Sequence, residues 1–337
     1  MNKFQIKKNI YQSYKKILTI AEIGCNHNND FNICKKLIIH AKKSGFDAVK
    51  FQMFKADLLV ENKTKGHKLL SKYELSELWV KKISIFCKKI DILFFCSPFY
   101  LDAVKILKKY KCDALKIASP EIKNLALIKK VLNANLPTII STGDSSFKEI
   151  NEVTKLIKNN HKKKIAFLHC VSEYPAQVKN LNLNNIPLMK SKLPNHAIGF
   201  SDHSTGVLGS LFAVSSGACI IEKHVTLDRK MKGPDHFFAI EPNEMSILIK
   251  DINNFLLSLG NKNKTRLRDE NTIHIKIFSS KKIRKNEKLD ENKLKLLRSF
   301  SKQGIDGKDY FKVIKKFAKK DIPMNKRLSF KSLKNKI

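Results

Sequence analysis

The sequence contains no run of about 18 apolar residues, the length that a membrane-spanning helix requires. Its basic N-terminal stretch, residues 1–16, also lacks the apolar segment of a secretory signal peptide. From these two absences we expect a cytoplasmic protein with no membrane partner. Cysteine pairs at the CxxC spacing are absent too. The 7 cysteines lie mostly in apolar segments, so we expect reduced thiols buried in the core.

Arginine is scarce: six of the 66 basic residues are arginines, and none precedes Arg229. The formal net charge is nevertheless +36, which by itself suggests a nucleic-acid-binding protein. Proteins that recognise nucleic acids rely on arginine for base edges and stacking, whereas lysine here is spread over nearly every predicted helix. We therefore predict no nucleic-acid partner, and we expect the charge to cover solvated faces and to attract anionic substrates.

Short apolar, β-prone segments recur eight times, with helix-like stretches between most of them. The segments are residues 17–24, 46–52, 92–97, 112–119, 136–142, 164–170, 196–202 and 218–224. Eight strand–helix rounds in about 245 residues match a parallel (β/α)₈ TIM barrel, whose strands are buried on both faces. A doubly wound open sheet is the alternative. We favour the barrel because polar residues follow nearly every strand, at the rim where a barrel builds its active site.

The composition changes after Gly260. We predict a TIM-barrel catalytic domain at residues 1–260, a polar linker at 261–271 and a small β-rich domain at 272–337. Within the last region, residues 272–279, 293–300 and 321–330 are β-prone, and residues 307–321 favour a short helix. No catalytic group of residues is evident in this second domain.

Two histidines follow neighbouring predicted strands in the same way. His203 comes directly after Asp202, and His224 comes two residues after Glu222. Such placement can bring two imidazoles to one divalent metal, with the nearby acids orienting the rings. The alternative is that each is an ordinary loop histidine at a strand end. A third histidine, His236, lies in the polar segment that follows.

Lys50 and Lys116 lie within apolar predicted strands, where an ammonium group is costly unless it meets an anion. We interpret them as a clamp for phosphate or carboxylate, completed by backbone N–H groups and small hydroxyls. The hydroxyls belong to Ser97, Ser119, Ser141 and Ser201. A lysine merely paired in the core and a Schiff-base lysine are the alternatives. The residues alone thus predict a metal-dependent barrel enzyme acting on an anionic, phosphorylated small molecule and a carbonyl compound.

Eight motifs stand in order at the predicted strand ends. They are AEIGCNHNND, KFQ, CSPF, KIASPEIKN, STGDSS, LHCVSEYP, IGFSDHSTG and EKHVTLDRKMKGPDH. Together they resemble the motifs of the sialic acid synthase family. The resemblance implies an enzyme that condenses phosphoenolpyruvate with the open-chain aldehyde of an N-acetylated amino sugar, such as N-acetylmannosamine, and releases phosphate by C–O cleavage. The tail resembles the family's antifreeze-like (SAF) domain less closely, since LLRSFSKQGID lacks the family's proline.

The resemblance also assigns residues by their positions in the motifs. It implies Glu22 as the catalytic residue, and His203 and His224 as ligands of a divalent metal, Mn²⁺ or alternatively Mg²⁺ or Co²⁺. The residues implied in phosphoenolpyruvate binding are Lys50, Ser97, Lys116, Ser119, Ser141, Ser172 and Ser201. The residues implied in sugar binding are Gln52, Glu121, Tyr174, Asp235 and Arg298.

The family arrangement implies a domain-swapped homodimer, in which the tail domain of one chain covers the barrel of its partner. Two other functions stay open. One is the same chemistry on a 2,4-diacetamido-trideoxyhexose, leading to legionaminic or pseudaminic acid. The other is a basic, non-catalytic binding protein that retains the barrel, which salt-sensitive binding to an oligonucleotide without turnover would indicate.

Overall fold

A computed structural model describes residues 3–143, 145–158, 164–261 and 272–335. The chain divides into two compact units, Met1–Gly260 and Asn261–Ile337. The linker predicted at 261–271 lies outside the described residues except for Asn261. None of the helices in the described ranges has the length and apolar character needed to span a bilayer.

The first unit is a closed barrel of eight parallel strands, preceded by an antiparallel hairpin. The hairpin consists of β1 (Lys3–Ile6) and β2 (Asn9–Gln12). The barrel strands are β3 (Leu18–Glu22), β4 (Ala48–Met53), β5 (Leu93–Pro98), β6 (Ala114–Ile117), β7 (Thr138–Ser141), β8 (Ile165–Cys170), β9 (Ala197–Asp202) and β10 (Ile220–His224), and β10 pairs with β3. Each lies within a predicted segment or extends one residue beyond it. The barrel prediction is therefore confirmed, and the doubly wound alternative is wrong.

Helices follow the strands and pack on the outside of the barrel. They are α1 (Phe31–Ser44), α2 (Ala56–Leu59), α3 (Lys65–Leu70), α4 (Glu77–Lys89), α5 (Leu101–Lys109), α6 (Leu125–Asn133), α7 (Phe147–Lys155), α8 (Asn185–Lys192), α9 (Leu208–Ser215) and α10 (Pro242–Ser258). Local chemistry sets the limits of α1. Asp30 accepts hydrogen bonds from the first turn, and Gly45 ends the helix at φ 93°, in the left-handed region that glycine tolerates.

Two apolar clusters follow from the alternation of side chains along the strands. Outward side chains such as Val49 and Phe51 pack against the helices. Inward side chains at the amino-terminal ends of the strands, such as Leu18, form a second cluster with the hairpin residues Phe4, Ile6 and Tyr11. The hairpin therefore closes the floor of the barrel. The sequence by itself indicates only a basic N-terminus at these residues.

The second unit has its own small core. It contains the antiparallel pair β11 (His274–Ser279) and β12 (Leu294–Ser299), the single turn α11 (Tyr310–Val313), and the short pair β13 (Phe317–Ala318) and β14 (Leu333–Lys334). Two of the three predicted β segments are thus strands. In the described part of the chain, the third, residues 321–330, contributes only the isolated bridges at Ile322 and Arg327. The unit is β-rich, as the sequence indicated.

Candidate active site

Alternation along the barrel strands directs one set of polar side chains into the carboxyl end of the barrel. On β3, Leu18 and Ile20 belong to the inner cluster, so the next residue on that face is Glu22. The same step of two residues leads from Ala48 to Lys50 on β4. The full set on this face is Glu22, Lys50, Gln52, Ser97, Lys116, Ser141, Ser201, His203, Glu222 and His224. Because the strands are parallel, these side chains meet at one end of the barrel.

Two buried lysines lie close to one carboxylate. Nζ of Lys50 lies 3.6 Å from Oε1 of Glu222, and Nζ of Lys116 lies 3.7 Å from the same oxygen. Lys116 donates a hydrogen bond to Oγ of Ser141 at 2.6 Å, and Lys50 donates to Oγ of Ser97 at 3.4 Å. Two ammonium groups and two hydroxyls that are all buried make a pocket suited to an anion.

Glu222 also belongs to this pocket, a role that the sequence motifs do not indicate. Its Oε1 accepts a hydrogen bond from Ser201 at 2.9 Å, and its buried Oε2 finds no hydrogen-bond partner among the described residues. Burial opposes ionisation, but Lys116 and Lys50 outweigh it and hold the pKa of Glu222 below its ordinary value. Glu222 lies two residues before His224, so the period of a strand could have assigned both to one face.

Ser119 is held by the turn that follows β7. The backbone N–H of Gly143 donates to Oγ of Ser119 at 2.9 Å, and that oxygen lies 2.9 Å from Sγ of Cys170. A Cβ on Gly143 would lie 2.7 Å from the same sulfur, so a larger residue would force the turn away from Ser119. Gly143 and Cys170 also line a cavity of about 400 Å³.

Glu22 is fixed at both of its carboxyl oxygens. Gln52 donates to Oε1 at 2.7 Å, and Nζ of Lys50 lies 3.0 Å from Oε2. Burial raises the pKa of Glu22 to about 7; Lys50 opposes this rise and the neighbouring Glu222 adds to it. A carboxyl group that titrates near neutral pH can accept and return a proton under ordinary conditions.

Because Gly24 has no side chain, a second acid, Asp235, can approach Glu22. A Cβ on Gly24 would lie 3.1 Å from Oε1 of Glu22, 3.2 Å from Oδ2 of Asp235 and 3.2 Å from Nε2 of Gln52. The residue has φ +49°, which favours glycine as well. Burial raises the pKa of Asp235 to about 6. The three polar groups therefore surround a position at which a side chain would displace them.

His203 and His224 are neighbours, with ring centroids 5.6 Å apart. Nδ1 of His203 lies 2.7 Å from the carbonyl oxygen of Val171, which can only accept, so Nδ1 carries the proton and Nε2 a lone pair. Nδ1 of His224 is buried, lies 3.7 Å from Oδ2 of Asp235 and has no hydrogen bond within the described ranges. Burial lowers the pKa of both imidazoles, so both are neutral at pH 7.

These nitrogens suit a divalent metal. Neutral imidazole is its commonest protein ligand, and a carbonyl on the other ring nitrogen is the usual orienting partner. The residues that the structure describes hold no group of three or more His, Cys, Asp or Glu arranged for a metal. The two imidazoles would thus share the ion with oxygens of substrate or water. The expectation that Asp202 and Glu222 orient the rings is wrong, because Glu222 faces the lysines and Asp202 points out of the barrel to Lys223.

The third histidine serves a different purpose. His236 lies 2.7 Å by Nδ1 from Oγ1 of Thr226 and 3.1 Å by Nε2 from Oδ1 of Asn28. It therefore fastens the segment that carries Asp235 to the loop after β3.

The remaining assigned residues lie further out. Tyr174 is half exposed, and its ring centroid lies 4.3 Å from that of His203. Ser172 is exposed after β8, and Glu121 is partly buried in the turn after β6. Among the described contacts, neither joins the hydrogen bonds and ion pairs of the site. Arg298 is exposed on β12 of the second unit.

The chain matches the model of the NeuB family over residues 37–264. It is similar to the N,N'-diacetyllegionaminic acid synthase of Campylobacter jejuni, with 36% identity over 91% of this chain and 97% of that protein. It is also similar to the N-acetylneuraminate-9-phosphate synthase of Drosophila melanogaster, with 36% identity over 72% of this chain and 68% of that protein. A crystal structure of N-acetylneuraminic acid synthetase from Leptospira borgpetersenii superposes with a TM-score of 0.75 at 31% identity, over 80% of this chain and 94% of that one.

Proposed function

Because the chain belongs to the NeuB family, we propose that it is a nonulosonic acid synthase that condenses phosphoenolpyruvate with an N-acetylated amino sugar. Membership confirms the resemblance to sialic acid synthases. It also makes the chain an enzyme, so the alternative of a non-catalytic binding protein is wrong.

One observation carries the proposed reaction. Two buried ammonium groups, on Lys50 and Lys116, lie among serine hydroxyls at the end of the barrel where His203 and His224 meet. Phosphoenolpyruvate bears a phosphate and a carboxylate. Lys50 already pairs with Glu22 and Glu222, and Lys116 with Glu222, and their ammonium groups and the serine hydroxyls can also bind these anionic groups. We assign its binding to Lys50, Ser97, Lys116, Ser119, Ser141, Ser172 and Ser201.

The bond changes balance as follows. C3 of phosphoenolpyruvate forms a C–C bond with the aldehyde carbon, whose oxygen takes up a proton. Water adds to C2 and gives up one proton. The C2–O bond to phosphate then breaks as the new C2 hydroxyl passes its proton to the departing phosphate, which leaves a 2-keto acid and inorganic phosphate. We assign the proton of the water to Glu22, because its pKa of about 7 matches the task and its contacts with Gln52 and Lys50 fix both oxygens.

His203 and His224 would hold the divalent metal, for which we propose Mn²⁺, with Mg²⁺ or Co²⁺ as alternatives. When bound there, the ion polarises the aldehyde oxygen of the sugar. The protein prepares the two ligands: burial keeps both imidazoles neutral, and Val171 fixes the tautomer of His203. We assign sugar binding to Gln52, Glu121, Tyr174, Asp235 and Arg298.

Two acceptor sugars are candidates. The first is N-acetylmannosamine. The second is a 2,4-diacetamido-trideoxyhexose, leading to legionaminic or pseudaminic acid. The 36% identity to an N,N'-diacetyllegionaminic acid synthase along 97% of its length favours this second sugar.

We further propose that residues 1–260 are the catalytic domain, 261–271 a linker and 272–337 a SAF-like domain. In a homodimer, this domain would cover the barrel mouth of the partner subunit and exclude water from the reaction. The exposed side chains of Leu296, Leu297 and Arg298 on β12 support a docking role for this domain.

Phosphate release tests the reaction. The protein is stripped of metal, repleted with Mn²⁺, and given phosphoenolpyruvate with N-acetylmannosamine, its 6-phosphate or the 2,4-diacetamido-trideoxyhexoses. We expect metal-dependent release with one of these acceptors. A folded protein that binds phosphoenolpyruvate but releases no phosphate with any of them would reject the proposed acceptors, and failure to bind phosphoenolpyruvate would reject the reaction.

A further inference from the structure

Asp202 and Lys223 form an ion pair on the outer face of the barrel wall, directly behind the two histidines. Nζ of Lys223 lies 3.0 Å from Oδ2 of Asp202, and the side chains are 1% and 0% exposed. The register of β9 and β10 places the two residues opposite each other. Each stands one position before a histidine, so alternation turns His203 and His224 inward while the ion pair faces outward.

Asp202 also binds the turn that follows His203. Its Oδ1 accepts hydrogen bonds from the backbone N–H of Ser204 at 2.9 Å and from Oγ of Ser204 at 2.6 Å. Its Oδ2 accepts from Oγ of Ser210 at 2.6 Å, and Lys223 donates to the carbonyl oxygen of Ser204. One pair of charges thus holds three parts of the chain together. They are the ends of the two strands, the turn that carries His203, and the first turn of α9.

The first turn of α9 closes tightly over this carboxylate. A Cβ on Gly209 would lie 2.7 Å from Oγ of Ser204 and 3.1 and 3.2 Å from the two oxygens of Asp202. The backbone beyond each charge is held as well, since the carbonyl of His203 accepts from Ala176 at 3.0 Å and that of His224 accepts from Ile240 at 2.9 Å. The segment therefore has little freedom once the ion pair has formed.

A buried ion pair is a poor way to stabilise a fold, because the desolvation of both charges offsets their attraction, and apolar residues of similar volume often serve as well. This one lies at the register position directly before both histidines. We propose that Asp202 and Lys223 are positioning residues that set the separation and orientation of His203 and His224 for the divalent metal. The inference rests on the proposed function, and neither side chain touches the reacting atoms.

Metal affinity of the full-length protein tests this role. Lys223→Met and Asp202→Asn remove one charge each at nearly constant volume. We expect Mn²⁺ binding, followed by electron paramagnetic resonance, to weaken about 10- to 100-fold in each variant, as when other orienting partners of metal ligands are changed. The visible absorption bands of the Co²⁺-loaded protein should shift as well. Because the two charges act as a unit, the double variant should lose little more Mn²⁺ affinity than the single variant that binds Mn²⁺ more weakly.

Asp47→Asn is the matched control. Asp47 is a largely buried carboxylate at the opposite end of the barrel, where it accepts hydrogen bonds from the N–H of Thr19 at 2.9 Å and from its Oγ1 at 3.1 Å. The control variant should lose stability without a change in Mn²⁺ affinity or in the Co²⁺ spectrum. A loss of affinity as large as that of Lys223→Met would mean that general destabilisation explains both, and would overturn the positioning role.

Folded variants of Asp202 and Lys223 with wild-type Mn²⁺ affinity and an unchanged Co²⁺ spectrum would also overturn it. If a charge variant does not fold, Ser210→Ala removes one hydrogen bond to Asp202 and should weaken Mn²⁺ binding by a smaller factor; unchanged binding again rejects the role. Failure of the proposed function gives a different result. In that case the wild type binds no metal, or His203→Ala binds it as well as the wild type, and both proposals fall together.

Discussion

Nζ of Lys50 lies 3.0 Å from Oε2 of Glu22 and 3.6 Å from Oε1 of Glu222. One buried lysine therefore joins the carboxyl group that we assign to proton transfer with the pocket that we assign to phosphoenolpyruvate. An anion that draws this ammonium group toward itself weakens its hold on Glu22 and makes Glu22 a stronger base. We therefore expect substrate binding and activation of the base to be coupled through Lys50.

Glu22→Gln should abolish turnover, while phosphoenolpyruvate should still bind. Burial raises the pKa of Glu22 to about 7, so its carboxylate forms only as the pH rises through that value. In the wild type, kcat/KM should therefore rise with pH up to about 7 and level off above it. Glu152→Gln, on the exposed side of α7, is the control and should keep the wild-type profile. A wild-type profile that is flat between about pH 6 and 8 would contradict the assignment.

The same raised pKa predicts a pH dependence of stability. Folded Glu22 holds its proton more tightly than the unfolded chain, in which the ordinary value is 4.5. Its contribution to the free energy of unfolding is therefore full below about pH 4.5 and is lost as the pH rises through about 7. Denaturant titrations at several pH values across this interval give the free energy of unfolding. Its slope against pH should differ between the wild type and Glu22→Gln. Parallel curves would show that Glu22 titrates alike in both states.

Lys116→Met should weaken phosphoenolpyruvate binding by about 100-fold or more, because truncating one partner of a buried charge contact costs several kcal/mol. The change also leaves Oγ of Ser141 without its 2.6 Å donor. Calorimetric titration with phosphoenolpyruvate measures the loss. Lys105→Met removes an exposed lysine that pairs with Asp102 and serves as the control. If the two variants bind phosphoenolpyruvate with equal affinity, its anionic groups do not bind at Lys116.

His203→Ala should abolish turnover while phosphoenolpyruvate still raises the thermal stability of the variant. The imidazole is a proposed metal ligand and does not belong to the lysine pocket. Equilibrium dialysis should show loss of bound Mn²⁺, whereas His67→Ala, which alters the contact with Asp57 on α2, should retain it. Full activity of the wild type after complete removal of metal would disprove the ligand assignment.

Gly24→Ala should reduce turnover by less than the roughly 100-fold that a displacement of catalytic groups by about 1 Å costs, because its Cβ requires the neighbouring groups to move by only a few tenths of an ångström. Its Cβ would press on Glu22, Gln52 and Asp235, all within 3.2 Å. Gly260→Ala is a matched control: Gly260 has a similar φ of +54°, but no described atom lies within 4 Å of its Cβ position. Both variants should lose about 1–3 kcal/mol of stability from backbone strain, and only Gly24→Ala should lose activity.

Deletion of residues 262–337 should cost activity more than it costs folding of the barrel. The second unit has its own apolar core, and the barrel's clusters are built from residues of the first unit. Circular dichroism and thermal unfolding would show whether the barrel remains folded, and the phosphate assay would show its turnover. Normal turnover by the truncated barrel would reject the proposed cover from the partner subunit.

The barrel and the histidine pair were predictable because they depend on local patterns. Strands buried on both faces produce continuous apolar segments, and each of the eight segments became a strand. His203 and His224 come together because each ends or follows a strand at the same level of the barrel. The burial of Lys50 and Lys116 followed from the apolar residues around them.

Other features depend on partners distant in the chain. Phe4, Ile6 and Tyr11 are scattered among lysines and asparagines, and their common burial appears only once the barrel offers an open floor. Asp202 next to His203 suggested an orienting contact, yet the strand turns the two side chains to opposite faces. The β-prone residues 321–330 form isolated bridges in the described unit, where Ile322 pairs with Ile283 and Arg327 with Phe278.

The hairpin β1–β2 is synthesised before every barrel strand but can be buried only at the end of barrel formation. Phe4, Ile6 and Tyr11 pack with inner side chains that extend along the chain to Ile220. Until β10 has emerged from the ribosome and the ring of strands has closed, these three side chains have no complete surface to cover. The hairpin residues therefore make non-local contacts with this cluster, and we expect their docking to report the completion of the barrel.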